Sequence, residues 1–347
     1  MRLVEQEDPM SVRAVQIVHP ELGRRVAIVS ACGKWLVFAG DYRSIYDAAM
    51  HAISVPERLE ETLRGAAIGF NKISYDEVYN GASPWKLLPA FDHPQDPAHC
   101  LVTGTGLTHR KSADNRNSMH SGAADGHLTD SMQMYIWGEE GGRPEPGTIG
   151  VAPEWFFKGD AGILRAHGEP LTVPDYAEDG GEEAELAGLY IVGPNGTVYR
   201  IGFAASNEFS DHVKESYNYL YLAPSKLREC SIGPEAVIAG DFSAVNGTAS
   251  IVRDGETIWS LEISSGGDAM THTLANMEHH HFKYLAHRRP GDAHIYFFGT
   301  PGFSFGTGIQ MQDGDEMHVQ FEGYGRPLIN PIKIEPGPET LVAVKPL

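Results

Sequence analysis

Cysteine is scarce: Cys32, Cys100 and Cys230 are the three in 347 residues. Odd in number and far apart, they offer neither a disulfide framework nor metal-ligand spacing. They read as structural thiols of a cytoplasmic protein. Basic charge is also short. Lys and Arg total 27 against 46 Asp and Glu, for a formal net charge of -19. A chain this acidic, without a basic cluster, is not expected to bind nucleic-acid backbones. No apolar run is long enough to span a bilayer, so no membrane role is expected. The start, "MRLVEQEDPM", has neither the basic residues nor the apolar stretch of a secretory leader, and none is expected. Two Asn-X-Thr sequons, at Asn195 and Asn246, carry Asn-Gly between strand-like runs, which is a hairpin-turn signal rather than a sign of secretion.

What remains is a globular composition, 41% apolar and 21% charged. The length suits one large and one small domain. Residues 12–40 alternate like strands, and 43–65 read as two helical pieces broken at "SVP", with Pro56 at a helix start. "FDHPQDPAH" has two prolines and no periodicity, so it reads as a linker. This predicts a small α+β domain over residues 1–93 and a strand-rich domain over 94–347. In the second, Asn195-Gly196 and Asp254-Gly255 mark two hairpins, and "MTHTLANMEHHHFKYLA" is the clear helix.

The chemistry begins at "GGEEAELAGLYIVG", residues 180–193. Strand side chains alternate faces, so Glu183 and Glu185 share a face with Ala187, Leu189 and Ile191. The opposite face is also apolar, which predicts a buried strand. Two buried carboxylates repel and are costly to desolvate unless paired. At i and i+2 they lie roughly 7 Å apart at Cα, so their side chains can converge on one hard cation. A solvated strand end is the alternative. Glu208 adds a third acid. Counted outward from the Asn195-Gly196 turn, it lies about as far along the return strand as Glu183 does on the first. Asp211 is either a substitute ligand or a cap.

Further motifs follow in order: "GTGLTHRKSAD", "PEWFFKGDAGILRAHGEPLTVP", Glu183-Ala184-Glu185, "NEFSD", Lys226 in "APSKLRECSIGP", Gly299-Thr300-Pro301 and "DGDEMHVQFEGYGRPLINPI". The set resembles the fumarylacetoacetate hydrolase superfamily over residues 95–335. The resemblance implies an α+β fold built on a mixed β-roll, a homodimer, a Mg²⁺ or Mn²⁺ cofactor and small 2-oxo-acid or β-diketone substrates. It implies Glu183, Glu185 and Glu208 as metal ligands, the last where the family has aspartate. Lys158 takes the family's lysine position, and Gly106 belongs to the lid entrance. Ser112 stands where the hydrolytic branch has its water-activating histidine. His109 and His120 are nearby substitutes at other positions.

Lys226, near a cation-bound oxo acid, is the leading proton carrier or enolate stabiliser, against a surface loop lysine. Lys158 either binds a substrate carboxylate or extends from a strand end along apolar surface. Arg110 is a second carboxylate clamp or a surface arginine. Thr300 sits in a tight turn that either meets a carboxylate or is structural. Gly302-Phe303-Ser304-Phe305-Gly306 matches G-x-S-x-G but lacks the following helix of a nucleophile elbow. Adjacent His279, His280 and His281 cannot all face one metal on a helix, and Gly104-Thr105-Gly106 lacks a third glycine. The expected function is a Mg²⁺-dependent hydro-lyase of sugar-acid and pentose catabolism. It would dehydrate a 2-keto-3-deoxypentonate to an α-keto semialdehyde. The alternatives are a hydrolase cleaving a C–C bond of a 2,4-diketo-3-deoxy acid and a non-catalytic 2-oxo-acid-binding protein.

Overall fold

The computed structural model describes residues 11–67, 71–114 and 129–347; His120 lies outside them. A mixed sheet of twelve strands runs through the molecule. Its order is β4 (Lys72–Ser74), β3 (Trp35–Phe38), β2 (Gly23–Val29), β1 (Val12–His19), β12 (Cys230–Ile238), β11 (Val198–Asn207), β10 (Ala184–Val192), β15 (Ala293–Phe297), β6 (Cys100–Gly104) and β7 (Phe156–Asp160). Short β5 (Lys86–Leu87) pairs with β1, and β8 (Leu164–Arg165) with β12. A second sheet has the order β14 (Glu256–Ser265), β13 (Val245–Arg253), β16 (Glu316–Phe321), β17 (Leu328–Ile334) and β9 (Leu171–Val173).

Both expected hairpins form. In β10–β11, Ala184 pairs with Asn207 and Val192 with Val198, and one register shift follows Leu189. Between β13 and β14, Asp254 and Gly255 take φ of 52 and 80. Both central residues of the turn are therefore left-handed, as a type I′ turn requires. All nine residues of β10 are buried. Ala187, Leu189 and Ile191 enter one core with α1 (Ile45–Ser54) and α2 (Leu59–Ala66). Leu186 and Tyr190 enter another, against Ala249, Ile263 and Val319 of the second sheet. The strand between two apolar layers explains its continuous hydrophobic run.

Three local expectations change. Pro56 does not start a helix. The Val55 and Glu57 N–H groups bond back to His51 and Ala52, so this segment finishes α1, and α2 begins after Arg58. The expected linker is anchored: Phe91 is buried, and Asp92 accepts from Gln16 at 3.0 Å and from Arg24 at 2.6 and 2.9 Å. Antiparallel pairing of β1 with β12 carries the sheet across position 93. Besides α3 (Tyr75–Tyr79), a further helix, α4 (Asp130–Gly141), is capped by Thr129, whose side chain accepts from the Met132 N–H. Its apolar residues do not gather on one face, which hid it in the sequence.

Candidate metal centre

The hairpin register brings the acids together. The Glu208 N–H donates to the Glu183 carbonyl at 2.9 Å, extending the β10–β11 pairing one step past Ala184–Asn207. Carboxylate oxygens of Glu183, Glu185 and Glu208, all buried, lie within 4.8 Å of one another. Short helices α5 (His212–Tyr217) and α6 (Leu222–Lys226) then deliver Lys226. Its Nζ donates to Glu183 Oε1 and Glu208 Oε2, each at 2.6 Å, and to Ser210 Oγ at 2.9 Å. The Ser210 hydroxyl itself donates to Glu208 Oε2 at 2.8 Å, so it accepts from Lys226. An ammonium has three donors, and all three are engaged.

Lys158, buried at the edge strand β7, donates to Glu208 Oε1 at 2.5 Å and to the carbonyls of Phe209 and Lys226, each at 2.9 Å. Its three donors are likewise spent, so it holds the third acid and the backbone that presents Lys226. That favours a supporting role over a free carboxylate clamp. His212, not singled out in the sequence, has Nε2 3.1 Å from Glu183 Oε1 and stacks on Phe303 with ring centroids 4.7 Å apart.

The loop 299–306 grips the same strand. The Gly299 N–H donates to Glu185 Oε2 at 2.8 Å. The N–H and hydroxyl of Ser304 donate to Glu182 at 2.6 and 2.7 Å. Ser304 is thus a clamp on a buried acid, and only a short 3₁₀ turn follows it, as the missing elbow helix predicted. Gly299 has φ of +93, and a Cβ there would lie 2.3 Å from Thr108 Oγ1, so glycine is required both for the turn and for the close approach.

Two ammonium groups face three carboxylates, and the imbalance falls on Glu185. Burial, then the charges of Glu208 and Glu183, push its carboxyl well above the usual range. Burial also raises Glu208, although Lys158 and Lys226 oppose it. At Glu183, burial would raise the carboxyl too, but the Lys226 ammonium and the His212 hydrogen bond outweigh it and hold the group well below its ordinary value. Glu185 Oε1 is buried with no hydrogen-bond partner. An all-oxygen set with one unpaired buried carboxylate oxygen fits a hard divalent cation such as Mg²⁺ or Mn²⁺.

The other candidates take up different local contacts. His109 and Ser112 are buried on the segment that follows β6. Arg110 faces outward, paired with Asp114 at 3.1 Å and lying over the Tyr135 ring. The Thr300 hydroxyl turns onto its own loop, donating to the Gly302 carbonyl at 2.9 Å. Gly106 sits in the turn after β6, where its carbonyl accepts from Thr105. Asp211 caps α5, accepting from the Lys214 N–H at 2.8 Å, and pairs with Arg228. Of the histidine run, on α7 (Leu274–Phe282), His281 packs against His294 and Trp155, and His280 meets the Gly150 carbonyl. Among the described residues, Glu183, Glu185 and Glu208 are the grouping with metal-binding geometry.

No family model matches the sequence, and no curated protein matches it. Solved structures do match. The apo form of 2-keto-3-deoxy-D-arabinonate dehydratase aligns at a TM-score of 0.66 and 20% identity, covering 94% of this chain and 100% of that one. The chain shares the fold of that dehydratase. The same dehydratase complexed with magnesium and 2,5-dioxopentanoate aligns at 0.65 and 20% identity, over 93% and 99% of the two chains. A 5-carboxymethyl-2-hydroxymuconate delta-isomerase from Mycobacterium smegmatis aligns at 0.55 and 15% identity, over 94% and 100%. Each of these likenesses of fold covers at least 93% of this chain. No helix among the described residues is long and apolar enough to cross a membrane.

Proposed function

We propose that this protein is a divalent-cation-dependent dehydratase of a 2-keto-3-deoxy sugar acid, of the 2-keto-3-deoxypentonate type. It removes water across C3 and C4 to leave an α-keto semialdehyde. The observation that carries the reading is the convergence of Glu183, Glu185 and Glu208 around Lys226, with Glu185 Oε1 unpaired. The dehydratase neighbour complexed with magnesium and 2,5-dioxopentanoate supports the choice of reaction. Glu183, Glu185 and Glu208 would hold the cation. When bound, Mg²⁺ supplies a Lewis acid for the oxygens of a 2-oxo acid.

The chain's own groups carry the protons. Lys226 Nζ stands 2.6 Å from each of two carboxylates; once it has passed a proton to one of them, its free amine can take the proton leaving C3, and we assign it that role. The hydroxyl at C4 departs with a proton as water, leaving a C3=C4 enone; loss of a proton from C5 and return of one to C3 then give the enol of the C5 aldehyde, so atoms balance without an oxidant. Lys158 and His212 fix the acids in place. Ser112, where the hydrolytic branch has histidine, is a weak base and gives little support to attack by water on a carbonyl carbon.

The test is to incubate 2-keto-3-deoxypentonate and a 2,4-diketo-3-deoxy acid separately with enzyme and Mg²⁺ and to weigh the products. The expected result is loss of one water from the first, with no C–C cleavage, and slow or no turnover of the second. Pyruvate plus a second acid from the diketo compound, with no water lost from the keto-deoxy acid, would establish the hydrolase instead.

A further inference from the structure

Thr108 decides how a proton is placed on its neighbour. Its hydroxyl donates to the Phe298 carbonyl at 2.7 Å. The same oxygen lies 3.0 Å from His109 Nδ1. A hydroxyl has one hydrogen, already used on Phe298, so the contact forms only if His109 Nδ1 carries hydrogen and Thr108 accepts it. In neutral imidazole the other nitrogen is then a bare lone pair. His109 is 4% exposed, and its Nε2 is buried with no partner. Burial pulls its pKa down to about 3, which keeps it neutral.

A buried acceptor without a donor is costly and asks for an occupant. The segments around it tie into the metal centre. Thr108 touches Gly299, whose N–H holds Glu185. The Thr271 N–H donates to the Thr108 carbonyl at 2.9 Å, and Thr271 Oγ1 is a second buried polar atom without a partner. The Phe297 carbonyl accepts the Thr105 N–H at 3.0 Å in the same turn. Two buried polar atoms without partners, His109 Nε2 and Thr271 Oγ1, therefore sit on chain segments bonded to each other through the Thr271 N–H and the Thr108 carbonyl.

We infer that His109 Nε2 accepts a hydrogen bond from a hydroxyl on the tail of the substrate, making His109 a specificity-determining residue for hydroxylated over plain 2-oxo acids. The inference rests on the proposed function for its substrate class. A nitrogen of such low basicity is a poor base for a C–H bond but a competent acceptor from a hydroxyl. Thr271 Oγ1, able to donate or accept, is a second unpartnered polar atom on the neighbouring segment for such a tail.

The test compares 2-keto-3-deoxypentonate as substrate with 2-oxopentanoate, its analogue without the hydroxyls, as competitive inhibitor. His109→Leu should lower kcat/KM for the hydroxylated acid roughly tenfold, mainly through KM, while the inhibition constant of 2-oxopentanoate stays within about twofold. His109→Gln, whose side-chain carbonyl can accept the same hydrogen bond, should restore part of the loss. An equal loss for both acids, or a fall in kcat at unchanged KM, in both variants would overturn the subsite while leaving the dehydratase reading intact. Absence of any turnover or binding in the wild type would overturn both.

Discussion

Replacing Lys226 with Met should destabilise the protein by about 3–5 kcal/mol in the absence of divalent cations, because it leaves Glu183 and Glu208 buried without their shared counter-charge. The lysine is fully buried and spends all three donors on these acids and Ser210. A cation held by the same carboxylates would supply positive charge where the ammonium was lost. Mg²⁺ or Mn²⁺ should therefore return much of the stability of Lys226→Met but not its activity, with kcat falling far more than KM changes. Thermal unfolding with and without the cation, beside steady-state kinetics, checks both halves. Unaltered kcat would make Lys226 a bystander in the chemistry. A stability loss indifferent to cation would separate it from the metal centre.

Acid should weaken the fold through its buried histidines. Burial holds His109 and His294 down to about 3 and His167 and His272 down to about 4. His281 is pushed the same way, by burial and then by the neighbouring His294 and His287. Each stays neutral in the folded chain, whereas in the unfolded chain it takes up a proton near pH 6.5. Below that value the unfolded state binds more protons, so each such histidine removes stability as the pH falls, at up to about 1.4 kcal/mol per pH unit, until its folded pKa is reached. The contribution is fully present above pH 6.5. Carboxyls raised by burial, such as Glu185 and Glu235, oppose this trend. A single-site comparison isolates the effect. In urea unfolding between pH 6.5 and 4.5, His272→Gln should show a shallower fall in stability than the wild type. Identical slopes would mean that His272 takes up its proton alike in the folded and unfolded chains.

The cluster of three acids was legible because it depends on two short-range rules. Period-two alternation put Glu183 and Glu185 on one face, and counting from the Asn195-Gly196 turn brought Glu208 opposite. The register shift after Leu189 did not spoil that count, since the Glu208 N–H still reaches the Glu183 carbonyl. The supporting groups were not legible. Lys158 reads equally as a clamp or a surface stem until the fold buries it against Glu208. Ser304 meets Glu182, and Phe303 meets His212, across sequence distances that carry no local signal. The pairing of β1 with β12 is likewise long-range, and no turn residue marks it. Pro56 misled because proline suits a helix start, yet the backbone hydrogen bonds here belong to the end of α1. The G-x-S-x-G segment, discounted as a nucleophile because no helix follows, proved to hold the acid strand instead.

The decisive measurement is the number of Mn²⁺ ions bound per chain, read by electron paramagnetic resonance in the wild type and in Glu183→Gln/Glu185→Gln/Glu208→Gln. One ion per chain in the wild type and loss of that ion in the triple variant, with the fold kept as judged by circular dichroism, is the predicted result. Full occupancy in the folded triple variant would contradict the assignment of these three glutamates as the cation site.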